Sequence, residues 1–542
     1  MNNALYSFSQ PCNEPVLGYL PGSPERAALE AELERQSSLQ PEIPLIIGGR
    51  PVRTGRLGKV TMPCDHGHLL ATVHRAGATE VRQAIDAALA AREDWLNLSY
   101  HERGAIFLKA AELISKRYRA LLNAATMLGQ GKNAFQAEID AACEVIDYLR
   151  FNVHFASRIY ADQPLMGSDS INRMEYRPLE GFVFAVTPFN FTAIALNLNL
   201  APVLMGNVTI WKPASTAVLS SYYLMKVLQE AGLPDGVINF LPASGAELTE
   251  TVLDDPNLAG IHFTGSNGVF NALWRGVANR LDRYRSYPRL VGETGGKDFV
   301  FAHASADIAA LSTGILRGAF EYQGQKCSAA SRAYIPRSLW PEVRQRLVEG
   351  IQSMKMGDVR DLDCFVNAVI DRKSFESIQG YVEKAKASPD AKILAGGEGD
   401  ASTGYFFRPT LIEALDPRFV TMEEEIFGPV MTVYVYEDER FEETLHLCDR
   451  TSPYALTGAV FAQDRYAFVQ ACRTLRYAAG NFYLNDKPTG AMVGLQPFGG
   501  ARGSGTNDKA GSGLNLLRWV SPRTVKETLL PATDWRYPYM TR

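Results

Sequence analysis

Three side chains in this sequence could together perform acyl chemistry: a cysteine, a glutamate and an asparagine, each beside an apolar run. Cys327 sits in Gln323-Gly324-Gln325-Lys326-Cys327-Ser328-Ala329-Ala330, after an apolar helical pattern (Ile315, Leu316, Ala319, Phe320) and before a strand-like run, Ala333-Tyr334-Ile335. A thiol at such a junction, beside the Lys326 cation, can ionise more readily and meet an electrophile. The other reading is a small buried apolar residue. Glu293, in Val291-Gly-Glu-Thr-Gly-Gly-Lys297, follows a buried strand, and its flanking glycines leave the carboxylate mobile. Those glycines would equally make an ordinary turn. Asn190 closes Thr187-Pro188-Phe189-Asn190 at another strand end. A Cys–His hydrolase is a competing chemistry, although the nearest histidine is His303 and nothing else supports it.

Such groups need elements to hold them. Continuous apolar strands are predicted at 181–187, 208–211, 237–241, 259–263 and 289–291, with helices at 193–205, 217–231, 246–253 and 269–279 between them. This alternation specifies a doubly wound parallel sheet with right-handed crossovers. Such a sheet binds ligands beyond its strand C-termini and suggests a dinucleotide. No GxGxxG fingerprint is present, which argues against a standard Rossmann dehydrogenase. Phe263-Thr-Gly-Ser266 can serve instead: Gly265 admits a phosphate, and the helix after Ser266 offers donors and a positive end. A plain strand-to-helix turn is the alternative.

Before the sheet come an arm through residue 45, with a helix opened by Ser23-Pro24, and a hairpin at 46–52 turning at Gly48-Gly49. Three helices follow, at 79–96, 101–115 and 120–160, the last carrying Glu138, Ala141, Val145 and Leu149 on one row with Glu144 off it. After the sheet a second α/β unit begins near Gly295, with helices at 307–320, 341–353 and 372–387 and strands at 431–435 and 481–484. A glycine-rich loop spans 489–513. Residues 516–527 read as a strand with nothing nearby to pair with, which points to a partner subunit.

Composition limits the function classes. A chain of 542 residues, 46% hydrophobic and 21% charged, is an ordinary globular protein of two or three domains. Its net charge of −4 indicates no nucleic-acid partner. Seven scattered cysteines without a CxxC pair read as free thiols in a reducing compartment. Cys64, His66 and His68 could face one way on a strand, but no second ligand cluster accompanies them; an ordinary turn is the alternative and no metal is expected. No apolar run approaches the roughly 20 residues that span a bilayer. Residues 1–22 carry Glu14 but no Lys or Arg, unlike a signal or transit peptide.

Taken in order, Thr187-Pro-Phe-Asn190, Trp211-Lys-Pro213, Phe263-Thr-Gly-Ser266, Gly292-Glu-Thr-Gly-Gly-Lys297, Gly324-Gln-Lys-Cys327, Glu424-Glu-Ile-Phe-Gly-Pro429 and Pro497-Phe-Gly-Gly500 resemble the motifs of the aldehyde dehydrogenase superfamily along almost the whole chain. Gln323 to Ser328, Glu144, the arm segment Pro21 to Glu25 and the stretch from Thr489 to Lys509 are similar to the branch that oxidises L-glutamate γ-semialdehyde in proline catabolism. The resemblance implies an α/β, aldehyde dehydrogenase-like fold: an N-terminal arm (1–45), a doubly wound parallel-sheet NAD-binding domain (46–294) with a strand excursion near 161–180 to a small β oligomerisation flap, an α/β catalytic domain (295–490), a return to the NAD-binding domain with a substrate-anchor loop (491–515) and an oligomerisation tail (516–542). It implies a homodimer or higher homo-oligomer, in the cytoplasm of a bacterium or the mitochondrial matrix of a eukaryote, without the proline dehydrogenase module of some relatives.

The resemblance also implies roles. Cys327 is the nucleophile, the Asn190 amide and the Cys327 N–H stabilise an oxyanion, and Glu293 activates water. NAD is the cofactor, with Lys212 at the adenosine ribose, Ser266 at the pyrophosphate, Glu425 at the nicotinamide ribose and Phe427 beside the nicotinamide; Thr187, Pro188, Gly245, Gly265 and Glu293 complete that set. Many relatives carry Glu where this chain has Ser215, so one barrier to a 2′-phosphate is missing, though the branch favours NAD. The substrate's carboxylate falls to the Gly490 and Ala491 N–H groups and Ser328, with Lys326 adding charge. Phe191 and Phe498 flank its aliphatic chain, unless they are simply core, and Glu144 shapes the entrance. Rival readings are a dehydrogenase for another acidic semialdehyde, such as succinic or α-aminoadipic, and a non-catalytic binding protein of the same fold.

Overall fold

The computed structural model describes residues 7–540, so residues 1–6 of the arm and 541–542 of the tail lie outside the described residues. After an irregular run, α1 (Pro24–Leu39) begins where the Ser23 hydroxyl accepts from the Arg26 amide at 3.3 Å. The expected hairpin forms as β1 (Leu45–Ile47) and β2 (Arg50–Val52). A second hairpin, β3 (Leu57–Met62) with β4 (Asp65–His74), holds the Cys64–His68 segment. His66 bonds the Ala401 carbonyl and His68 the Ser37 carbonyl, so their rings serve separate backbone contacts.

The helical layer is α2 (Ala78–Asn97), α3 (Tyr100–Leu113), α4 (Arg119–Gln130) and α5 (Val145–Ala161). One helix over 120–160 is not what forms. At Gly131 the chain turns left-handed (φ 74°), and a Cβ there would stand 2.7 Å from the Ala368 carbonyl oxygen. It resumes through a short turn and a π-helical segment, Glu138–Glu144, before α5. The 3.6-residue apolar period continues on both sides of the break and hides it.

Next come β5 (Ser170–Pro178) and the nucleotide-type sheet: β6 (Phe182–Val186), α6 (Thr192–Leu204), β7 (Val208–Lys212), α7 (Val218–Ala231), β8 (Ile238–Phe240), α8 (Gly245–Leu253), β9 (Leu258–Thr264), α9 (Asn267–Ala278) and β10 (Arg289–Glu293). Its order is β10-β9-β6-β7-β8-β1-β2, parallel except for the added hairpin. The chain steps outward from β6 to β8, then returns to the other side of β6. The order therefore reverses between β6 and β9, which opens a crevice at their carboxyl ends.

A second seven-stranded sheet holds β11 (Asp298–Ala302), β12 (Ala330–Pro336), β13 (Ala391–Ala395), β14 (Thr410–Ala414), β15 (Val430–Tyr436), β16 (Thr457–Phe461) and β17 (Asn481–Leu484), in the order β13-β14-β15-β12-β11-β16-β17. Only β13 runs antiparallel. Its helices include α10 (Ile308–Phe320). Since β10 ends at Glu293 and β11 starts at Asp298, the carboxyl edge of the first sheet meets the amino edge of the second.

The tail forms the expected strand, distant from any neighbour in sequence, but its partner strand belongs to its own chain. Leu516, Trp519 and Val520 pack into the first sheet's core. Then β18 (Val520–Thr528) pairs antiparallel with β5 of its own chain, from Val520 opposite Pro178 to Thr528 opposite Ser170. The partner lies too far back in sequence for a local pattern to reveal it.

Candidate active site

Four chain segments converge where the two sheets meet. The cysteine loop leaves α10 through three consecutive left-handed residues, Tyr322 (φ 52°), Gln323 (φ 55°) and Gly324 (φ 66°). Two of these bear side chains and are strained, so something must hold them. The buried Gln323 amide does so, donating to the Gly131 and Ala368 carbonyls at 2.8 and 2.9 Å and accepting from the Asn367 amide at 3.0 Å. A Cβ on Gly296 would stand 2.4 Å from the Cys327 carbonyl oxygen, so the loop lies against the Gly295-Gly296 turn.

The Cys327 thiol points at Glu293, with Sγ 3.6 Å from Oε1. Burial pushes the thiol well above its ordinary range, and the Glu293 and Asp298 carboxylates push it the same way. Burial also raises Glu293, to about 7, against the opposing Cys327 hydrogen bond and Lys509 charge. The expectation that Lys326 acidifies the thiol is not met here. Lys326 is buried, and its Nζ turns to Glu321 Oε2 at 2.9 Å instead. With each pH unit worth about 1.4 kcal/mol, the resting pair keeps its proton on sulfur, and Glu293 is the acceptor within reach.

Asn190 stands at the carboxyl end of β6, at the switch point, and its amide donates to the Gln325 carbonyl at 3.1 Å. Among the described residues that leaves its second amide hydrogen without a partner beside the cysteine loop. Two buried residues that the sequence did not single out position this strand end. Asp140, on the π segment, accepts from the Thr192 and Ala193 amides at 3.0 and 2.8 Å and so caps α6. Lys132 pairs with Asp140 at 2.7 Å, and its ammonium lies 4.0 Å from the Phe191 ring and 4.6 Å from the Tyr322 ring. Charged residues inside a helical pattern read as a solvated face, which is why they were missed.

Around the thiol lies a cavity of about 260 Å³, lined by Cys327, Glu293, Phe191, Phe498, Gly490 and Ala491, with Lys326, Ser328 and Glu144 also on its wall. The Gly490 and Ala491 amides have no partner among the described residues, while the Ser328 hydroxyl donates to Thr489 Oγ1 at 2.9 Å. Burial, then the charge of Asp140, holds the Glu144 carboxyl well above the usual range. Glu144 thus belongs to the cavity wall.

The remaining residues line the sheet's carboxyl edge. A Cβ on Gly245, at the start of α8, would stand 3.9 Å from Lys212 Cε. Burial pushes the Lys212 ammonium down, with no acid opposing it. Ser266 caps α9, accepting from the Val269 amide at 3.4 Å; Gly265 precedes it, and Ser215 is exposed. Thr187 and the adjoining Pro188 are buried, and the Thr187 hydroxyl accepts from Trp211 Nε1 at 3.0 Å. Glu425 accepts from the Gly296 amide at 3.0 Å, and burial raises it to about 7. Beside it Lys297 Nζ is buried with no hydrogen-bond partner among the described residues, pushed down to about 7 mainly by burial. Phe427, left-handed at φ 57°, meets the Phe189 ring edge-on at 5.8 Å. Two helix N-termini, an uncompensated ammonium and a distal carboxylate fit a dinucleotide's pyrophosphate and riboses.

Comparison with known proteins agrees with this geometry. The profile of the aldehyde dehydrogenase family matches residues 53–525. A Dictyostelium discoideum protein named delta-1-pyrroline-5-carboxylate dehydrogenase, mitochondrial, is 56% identical over 540 residues, covering 99% of this chain and 97% of its own length. The Homo sapiens protein of that name is 51% identical over 529 residues, covering 97% of this chain and 94% of its own. The crystal structure of the delta-pyrroline-5-carboxylate dehydrogenase from Mycobacterium tuberculosis bound with NAD superposes with a TM-score of 0.97 at 50% identity, over 100% of both chains.

Proposed function

The chain belongs to the aldehyde dehydrogenase family, and on that premise we propose how its own residues carry out the NAD-dependent oxidation of L-glutamate γ-semialdehyde to L-glutamate. The semialdehyde forms when the pyrroline-5-carboxylate ring opens in water. Its α-carboxylate meets the free amides of Gly490 and Ala491, with Ser328 and Lys326 alongside, and its methylenes lie between Phe191 and Phe498. The aldehyde carbon then rests over Cys327.

Glu293 takes the thiol proton, and sulfur attacks the carbonyl to form a thiohemiacetal. The Asn190 amide and the Cys327 N–H receive the oxyanion, each worth about 3 kcal/mol in comparable sites. Bound NAD supplies the acceptor for the hydride that this carbon loses. The product is a thioester on Cys327. Glu293 gives the thiol proton up to solvent, then removes a proton from water as the water attacks the thioester and passes it to the departing Cys327 sulfur, so that glutamate leaves and the thiol is restored. The observation that carries this reading is the 3.6 Å approach of Cys327 Sγ to Glu293 Oε1 inside the cavity that also holds the Gly490-Ala491 turn. The test is NADH formation from pyrroline-5-carboxylate by the native protein and by Cys327→Ala; unchanged turnover in the variant would discard the mechanism.

For assembly, the β5–β18 ribbon supports a homodimer or larger oligomer, because a two-stranded ribbon keeps two outer edges open to pairing. Light scattering at working concentration tests this, and a monomer mass would refute it. The compartment follows the source: cytoplasm in a bacterium, mitochondrial matrix in a eukaryote; the Dictyostelium discoideum and Homo sapiens relatives are named mitochondrial.

A further inference from the structure

The substrate cavity is not built only from the two sheets. Two residues of the N-terminal arm, Glu14 and Val16, stand on its wall. Between arm and substrate-anchor loop lies a short chain of hydrogen bonds. The Asn13 amide nitrogen donates to the Val493 carbonyl at 2.9 Å and to Asp147 Oδ2 at 2.7 Å. The other Asp147 oxygen accepts from the Glu14 backbone amide at 2.7 Å. Both hydrogens of one side chain and both oxygens of the other are thus engaged. Asp147 sits on α5, a rigid element, so the loop is tied through the arm to a helix.

Val493 lies two positions beyond Ala491. Its side chain is buried, and the next residue, Gly494, is left-handed (φ 81°) with no room for a Cβ, which would stand 2.3 Å from the Phe151 ring. From Val493 onward the loop is therefore fixed, and the Gly490-Ala491 turn hangs from that point. The arm end is equally fixed: the Glu14 carboxylate pairs with Arg119 at 2.7 Å and Arg150 at 2.6 Å, and Arg119 also donates to the Pro15 carbonyl at 2.7 Å.

We propose that Asn13 and Asp147 are positioning residues for substrate recognition. They clip the arm to Val493 and hold the Gly490 and Ala491 amides where the α-carboxylate is received. The arm thereby becomes part of the selectivity for an aldehyde that carries a charged head. This rests on the reading that the Gly490-Ala491 turn binds that carboxylate. Neither side chain reaches the thiol, so the effect falls on KM for the charged substrate and leaves kcat in place.

The test compares Asn13→Ala, Asp147→Ala and the double variant, with Ser328→Ala as a probe of the anchor itself. Substrates are pyrroline-5-carboxylate and propanal, which lacks the carboxylate. Asn13→Ala is expected to raise KM for the semialdehyde about fivefold, the worth of one good hydrogen bond. KM for propanal and kcat stay unmoved, and the double variant is no worse than Asp147→Ala alone. Because Asn13 lies on the arm, its variant decides the matter even if Asp147→Ala folds poorly. An unchanged KM for the semialdehyde, or an equal rise for propanal, overturns the proposal. If Ser328→Ala raises KM and Asn13→Ala does not, the clip alone falls; if neither raises it, the carboxylate reading falls with it.

Discussion

Glu293 carries the pH dependence of the reaction. Burial raises its carboxyl to about 7, so the ionised base is lost as pH falls below that value and gained as pH rises through it. Proton removal from the thiol and from water needs the ionised form. The turnover of the native protein is therefore expected to climb between pH 6 and 8; a native profile that is flat across that range would move the titration to another group. Ser215 bears on cofactor choice. Placing a carboxylate there, in Ser215→Glu, is expected to lower the kcat/KM ratio of NADP to NAD by at least about tenfold, because like charges brought together cost more than 1 kcal/mol. An unchanged ratio would remove residue 215 from the ribose end. Cys327, Glu293 and Asn190 were legible in the sequence because each is a reactive side chain at the end of an apolar run. Lys132 and Asp140 were not, since their burial is decided by what packs over the helix. The charge state of Cys327 was misread from its neighbour Lys326, whose direction only the fold supplies.

At the scale of elements, the cysteine loop depends on Gln323. Gln323→Ala leaves three backbone groups without the partner they have now, at about 1 kcal/mol each. A thermal melt is expected to show a loss of about 3 kcal/mol, with kcat falling as the strained Tyr322-Gln323 turn relaxes; a native melting point and kcat would show that the turn holds itself. The buried strands of the first sheet were found nearly to the residue because continuous apolar runs between turn residues have few other uses. The 120–160 helix failed at Gly131, where what matters is the Ala368 carbonyl facing it. The two strands of the β5–β18 ribbon were expected near 161–180 and 516–527, but their pairing with each other was not, because its register joins segments that no window compares.

Across the whole molecule, the arm is fastened by buried charge. The Glu14 and Glu138 side chains are 8% and 0% exposed, and both pair with Arg119. Arg119→Met leaves Glu138 without its cation, while Glu14 keeps Arg150, a loss of about 3–5 kcal/mol for a buried pair broken from one side. Chymotrypsin is then expected to cut after Tyr19, which the native protein buries; resistance equal to native would show the arm is held elsewhere.

The covalent intermediate remains the centre of the chemistry, and Glu293→Gln traps it: the thiol still ionises slowly to solvent, but the thioester loses the group that activates water. Mixed rapidly with NAD and pyrroline-5-carboxylate, that variant is expected to release one NADH per subunit at most and then stall, with the glutamyl group recovered as a thioester on the peptide containing Cys327. Steady turnover without a burst, or an acyl group recovered on any other residue, would contradict it.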